Sequence, residues 1–280
     1  MRCLFMYRII DAHTHIFPAP LAEKASKSIG DFYDVAMSYP ASVEQLLAAE
    51  KEINAERMVV CSSAVTPKQV SSINDFISAE CQKHPEFIGL GAMHPDYADY
   101  EAELDRIVAL GLHGVKFHPD FQKFAIDDPK YFDVFRAIAK RGLPVLFHTG
   151  DKRYHYSSPD QLTTLMRAVP DMVAIGAHFG GYSEWEEAFR QPKNPQVFYD
   201  TSSALFELNR DLALRMIERF GIDQFMFGTD FPMWKPVEEI QRFLSLGLSE
   251  SENQALFYDN CCRLYNLKPR GVEPHKLKSE

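Results

Sequence analysis

The sequence predicts an α/β fold, a single (β/α)8 TIM barrel spanning residues 1–280 with its core at about 8–267. Three observations predict it. Eight short runs of β-branched, aliphatic and aromatic residues alternate with stretches of helical period. Almost every run ends in a polar side chain. The length, 280 residues, is ordinary for one barrel.

The first run, RIIDAHTH (8–15), reads as a strand. The segment 16–42 that follows contains Pro18, Pro20, Phe32, Tyr33, Tyr39 and Pro40 and reads as a long loop, of the kind that serves as a lid or binding loop. SVEQLLAAEKEIN (42–54) reads as a helix, with Ser42 at its N-cap and Glu44 near the positive end of its dipole. Strand RMVVCSS (57–63) leads to a helix over 67–84, opened by Pro67 in the first turn. Strand FIGLGAM (87–93) leads to YEAELDRIVALGLHG (100–114), where Leu104, Ile107, Val108 and Leu110 lie near one face and glycines close the helix. GVKFH (114–118) is the fourth strand, and the next helix ends in Lys140, Arg141 and Gly142, a helix-stop signature. PVLFHTG (144–150), MVAIGAHFG (172–180), VFYDTSS (197–203) and QFMFGTD (224–230) complete the strands, with helices at about 159–168, 183–190, 207–220, 236–246 and 249–266. The Lys-rich tail 268–280 reads as an exposed extension without a role.

Helical returns between strands require parallel pairing. An open doubly wound sheet is the competing architecture, but no GxGxxG loop follows the first strand, and an open sheet would spread the polar strand ends along a line. A barrel gathers them at one mouth.

Hydrophobic residues make up 46% of the chain and charged residues 25%, as in globular proteins. A net charge of -9 argues against nucleic acid as a partner. The five cysteines, Cys3, Cys61, Cys81, Cys261 and Cys262, form no CxxC and no even-numbered framework, which points to a reducing, cytoplasmic setting. No run approaches the ~18 apolar residues of a membrane span. The apolar start MRCLFMYRII lacks a signal-peptide cleavage pattern, and Met6 is an alternative initiator to Met1.

Asp11-Ala12-His13-Thr14-His15 is the strongest local signal. Residues two apart on a strand share a face, so His13 and His15 can chelate one ion. Asp11 shares their parity and is expected to support one of the histidines. His148 ends the fifth strand, His178 the sixth and Asp230 the eighth. Each follows an apolar strand, where a barrel positions chemistry. A lone strand-end histidine reads as a structural hydrogen-bonding residue; four such strand ends together read as a site for one divalent ion, zinc, with manganese or iron as alternatives.

The motifs IIDAHTHIFP, GVKFHP, LFHTG, GAHFGG and FGTDFP run in order from residue 9 to 232, and NCCRLYNL (260–267) looks like a closing helix. Together they resemble the amidohydrolase superfamily, in particular its amidohydrolase-related branch of metal-dependent hydrolases and aminocarboxymuconate-semialdehyde-type decarboxylases. The resemblance implies that His13, His15, His148 and Asp230 ligate the metal, that Asp230 also exchanges a proton with bound water, and that His178 either ligates or hydrogen-bonds the reacting group. It implies homodimers as well. Lys116 occupies a position where some members carry a carbamylated lysine between two metals; here it reads as a free cation near metal or substrate. His118, two residues on, is expected to contact substrate or to cap the following loop.

After the fifth strand, Asp151-Lys152-Arg153-Tyr154-His155-Tyr156 is expected to overhang the mouth, with Arg153 as a bidentate ligand for a substrate carboxylate, or else to be a solvated loop. These readings converge on a metal-dependent hydrolase of a small, carboxylated organic substrate. The same ion also permits non-oxidative decarboxylation. A non-catalytic binding barrel is the third reading, against which the intact ligand set argues. The absence of a P-loop and of GxGxxG argues against nucleotide binding.

Overall fold

The computed structural model describes residues 7–268. The choice between Met1 and Met6 and the tail beyond Lys268 lie outside the described residues. The strands are β1 (Ile10–His15), β2 (Arg57–Cys61), β3 (Phe87–Gly89), β4 (Gly91–Ala92), β5 (Val115–Phe117), β6 (Val145–Phe147), β7 (Ala174–Gly176), β8 (Val197–Asp200) and β9 (Phe225–Met226). All pairings are parallel, in the orders β1-β2-β3 and β4-β5-β6-β7-β8-β9.

The two sheets form one ring. β3 and β4 occupy the third barrel position, interrupted at Leu90, whose N–H bonds back to Val60 O while Gly91 N–H bonds forward to Gly114 O. The single strand expected over 87–93 is thus two short pieces. At the seam, Ala12 N–H donates to Phe227 O at 2.8 Å, Asp230 N–H to His13 O at 2.9 Å and His15 N–H to Phe231 O at 2.8 Å. The last strand position is thereby joined to the first.

Strand alternation sorts the core. Ile10, Val59, Ile88, Leu146, Ile175, Phe198 and Met226 fill the barrel interior, where Tyr258, Cys261 and Tyr265 pack against them. Their neighbours, among them Val60, Phe117, Val145 and Phe147, face outward and pack with helix residues such as Leu104, Phe135, Leu165, Met216 and Phe243. The helices start where their caps place them. Ser42 Oγ accepts from Gln45 N–H at the start of α2 (Val43–Lys51), a contact whose loss costs about 1 kcal/mol. Pro67–Gln69 forms a 3-10 turn leading into α3 (Val70–Lys83), and α4 is Tyr100–Ala109. Among the described residues no helix is long and apolar enough to cross a membrane.

The segment 16–42 is not the loop its prolines suggest. Residues Ala19–Tyr33 form helix α1, fifteen residues long, with a proline in its first turn. Its core-facing stripe is Ala22, Ser26 and Gly30, four residues apart but small and partly polar, so the buried face of the helix is not its most apolar one. Ser26 lies within the packed interface, its Oγ donating to Ala22 O and accepting from Ala41 N–H. Gly30 must be glycine: a Cβ there would stand 2.6 Å from Val35 O. A second short helix, α5 (Pro119–Gln122), follows β5 directly. Both helices wall the cavity described next.

Candidate metal centre and active-site cavity

A cavity of about 520 Å³ opens at the mouth of the barrel, lined at its deep end by His13, His15, Lys116, His148, His178 and Asp230. His13 and His15 direct their Nε2 atoms at each other across 3.2 Å. Asp230 Oδ1 lies 3.2 Å from His15 Nε2 and 3.8 Å from His13 Nε2. Donors that share one ion at a bond length of about 2.1 Å stand about 3.0–3.4 Å apart, so these three fit one face of a coordination sphere, with 3.8 Å as its widest edge. Two imidazoles and a carboxylate also suit a borderline divalent ion.

The backbone of this corner is pinned from below. Asp11 Oδ1 accepts the N–H of His13 and that of Thr229, each at 3.0 Å. Asp11 therefore supports the strand on which His13 sits and not, as its parity suggested, the imidazole. The ring of His13 is held by Asp200, the last residue of β8: Oδ2 lies 3.0 Å from Nδ1. Asp200 was not singled out in the sequence, although it carries the same mark as the other site residues, a polar group directly after an apolar strand. Asp230 has a left-handed backbone, φ 58°, which turns its carboxylate inward; Ser203 Oγ donates to its Oδ2 at 2.6 Å. Trp234 Nε1 donates to Ser203 Oγ in turn.

Lys116 is fully enclosed, 1% exposed, and its Nζ stands 3.2 Å from His13 Nε2. This places the ammonium against the ligand set. Burial lowers its pKa.

His148 lines the same cavity, but both of its ring nitrogens are engaged elsewhere. Nδ1 is 3.0 Å from His178 Nε2; Nε2 is 3.3 Å from Asp120 Oδ2 and 3.4 Å from the Tyr33 hydroxyl. Ligation by His148 requires one of these contacts to be exchanged for the ion. His178 Nδ1 meets Ser202 O at 2.9 Å. A carbonyl only accepts, so Nδ1 of His178 carries the proton and a neutral ring offers Nε2 as acceptor to His148 Nδ1–H. His178, φ 61°, sits in a left-handed turn that swings it toward His148. His118 stacks between Phe121 and His148, with ring centroids 3.6 and 4.3 Å away, and its Nε2 meets the Tyr33 hydroxyl at 3.0 Å.

Electrostatics divide the site in two. Burial, then the Lys116 charge, push His13 down to about 4, which leaves its ring neutral at pH 7. Burial would also lower His15, but Cys61 and Asp230 outweigh it and raise it to about 9. Burial opposes ionisation of Asp230 and Asp200 as well; the hydrogen bond from His15 and the imidazole charges hold Asp230 far below the usual range, and His13 holds Asp200 at about 2. On the other side, burial and crowded imidazoles hold His118 and His148 well below the ordinary histidine value. Burial and the neighbouring Asp151 raise Asp120 to about 7.

Arg153 does not line the cavity. Its Nε and Nη2 are 2.9 and 2.6 Å from the two oxygens of buried Asp151, and Nη1 donates to Phe32 O at 2.8 Å. The guanidinium also lies over the ring of Phe32. It ties the loop after β6 to the end of α1. Tyr33, named in the sequence only within the expected binding loop, lines the cavity from α1, and two residues not singled out, Asp120 and Tyr182, line it from α5 and the turn after β7.

The model of the family described as Amidohydrolase matches residues 10–267. An uncharacterised protein of Sinorhizobium fredii is 23% identical over 93% of this chain and 97% of its own length. A putative 2-pyrone-4,6-dicarboxylic acid hydrolase from Pseudomonas putida has the same fold, at a TM-score of 0.67 and 18% identity, covering 94% of this chain and 99% of the other. So does a dihydroxybenzoic acid decarboxylase from Polaromonas, solved with bound manganese and an inhibitor, at a TM-score of 0.71 and 17% identity over 95% and 98% of the two chains. Polar strand ends gathered at one mouth, a closed ring of strands and a family match across almost the whole described chain agree: this protein belongs to the metal-dependent amidohydrolase family.

Proposed function

We propose that the protein hydrolyses a small, carboxylated organic substrate with one divalent ion, zinc or manganese, held by His13, His15 and Asp230 and joined by His148. The observation that carries this reading is the three-donor face formed by His13 Nε2, His15 Nε2 and Asp230 Oδ1 on the wall of an open cavity. Bound there, a divalent ion supplies Lewis acidity, lowering the pKa of water towards about 7 and polarising a carbonyl.

The chain's own groups do the rest. The Asp230 carboxylate, ionised and anchored by Ser203, accepts the proton of the attacking water and passes it to the leaving group. Lys116 supplies positive field beside the reacting carbonyl, in a buried setting where such charge acts strongly, and His178 orients His148 through its Nε2. Asp200 keeps His13 in the tautomer whose Nε2 is free for the ion.

A second reading, decarboxylation, is favoured by one observation: the Lys116 ammonium beside His13 at the deep end of the cavity suits a substrate carboxylate. The test is a panel of esters, amides, lactones and hydroxybenzoates assayed on protein stripped of metal and then reconstituted. Hydrolysis restored by metal supports the proposal; carbon dioxide release from hydroxybenzoates alone selects the second reading; no metal-restored turnover of either kind refutes both.

A further inference from the structure

The cavity is far larger than its ligand cluster. Its volume equals that of roughly 17 waters at about 30 Å³ each. Leu21, Ala25, Ile29 and Phe32, on one face of α1, line the cavity together with Val65 and with Phe121, whose ring meets that of Phe32 edge-on at 4.8 Å. The spacing of Leu21, Ala25, Ile29 and Phe32 is one helical stripe, distinct from the Ala22, Ser26 and Gly30 stripe that packs on the core. α1 thus packs on the core through small residues and turns a larger apolar stripe, flanked by Lys24 and Ser28, toward the cavity. At the rim the apolar surface continues into solvent: Leu21 is 54% exposed and Val65 46%. Both side chains belong to the cavity lining, so an apolar group bound there would remove their exposed surface from water. Lys24 and Lys123, also in the lining, bring long aliphatic stems to the same rim.

We infer that the substrate is amphipathic, with a carbonyl or carboxyl head at the metal and an extended apolar body lying along α1 to the rim between Leu21 and Val65. A single ring with its carboxylate fills only the deep end. This deepens the proposed function and rests on its metal-bound head group.

The experiment titrates the zinc-loaded full chain with benzohydroxamate and with its para-butyl derivative by calorimetry, hydroxamate serving as the metal-seeking head. The para-butyl compound is expected to bind at least about tenfold tighter, since each buried methylene is worth roughly fourfold. In the Leu21→Asn, Val65→Asn double variant, which alters two exposed positions, that ratio falls to about twofold. If benzohydroxamate binds and the butyl group adds nothing, or if the ratio persists in the double variant, the apolar-body assignment is overturned while the metal reading stands. If neither compound binds the zinc-loaded chain, the metal reading itself fails and takes the inference with it.

Discussion

Asp200 Oδ2 lies 3.0 Å from Nδ1 of His13, across the barrel from β8 to β1, and both residues are buried. The contact makes Nδ1 the protonated nitrogen and presents the Nε2 lone pair toward His15 and Asp230. Asp200→Asn weakens this control, and its metal affinity is expected to fall about 10- to 100-fold by competition with a chelator. An unchanged affinity would remove Asp200 from the account.

Metal uptake should release protons. In the metal-free protein His15 is raised to about 9, so at neutral pH its ring is protonated and an ion must displace that proton. Affinity is then expected to rise with pH until about 9 and to level off above it. Calorimetry at pH 7 in buffers of different ionisation enthalpy should count close to one proton released per ion; a count near zero would contradict the pairing of His15 with Asp230.

Much of this was legible in the sequence. The parity of His13 and His15 and the polar endings of the strands carrying His148, His178 and Asp230 were visible because a strand end shows itself as an apolar run that stops. Asp200 showed the same mark within VFYDTSS but lacked a histidine to draw attention to it. Tyr33 was named only as part of an expected binding loop: Pro18, Pro20 and Pro40 suggested irregular chain, and they outweighed the helical spacing of Leu21, Ala25, Ile29 and Phe32 that marks α1. Asp151 is a third kind of case. Its buried carboxylate captures Arg153 two residues on, a local pairing that the sequence does not rank against a substrate carboxylate.

Arg153 should therefore act on stability. Arg153→Ala leaves the Asp151 carboxylate, 1% exposed, without its cation and frees the end of α1 from the loop. The guanidinium is partly solvated, which screens the pair, so a loss of about 1–3 kcal/mol is expected in urea unfolding. A variant as stable as the parent that loses only substrate affinity would return Arg153 to the role its position suggested.

Glu239 gives a pH-dependent stability. Burial raises its pKa to about 7, against the opposing pull of Arg242. A carboxyl raised in the folded state favours folding at low pH, where both states are protonated; stability declines as pH rises from about 4.5, where the unfolded chain ionises, to about 7, and then stays lower. Glu239→Gln is expected to raise the melting temperature more at pH 8 than at pH 5, relative to the parent. An equal shift at both pH values would show that Glu239 ionises freely in the folded chain.

The central claim is that His13 and His15 anchor one divalent ion. It is tested most directly by measuring metal content after zinc reconstitution and gel filtration, in the parent and in a His13→Ala, His15→Ala double variant shown by circular dichroism to be folded. The account predicts about one equivalent in the parent and less than about a tenth in the variant. A folded variant that keeps a full equivalent, or a parent that retains none, would contradict it.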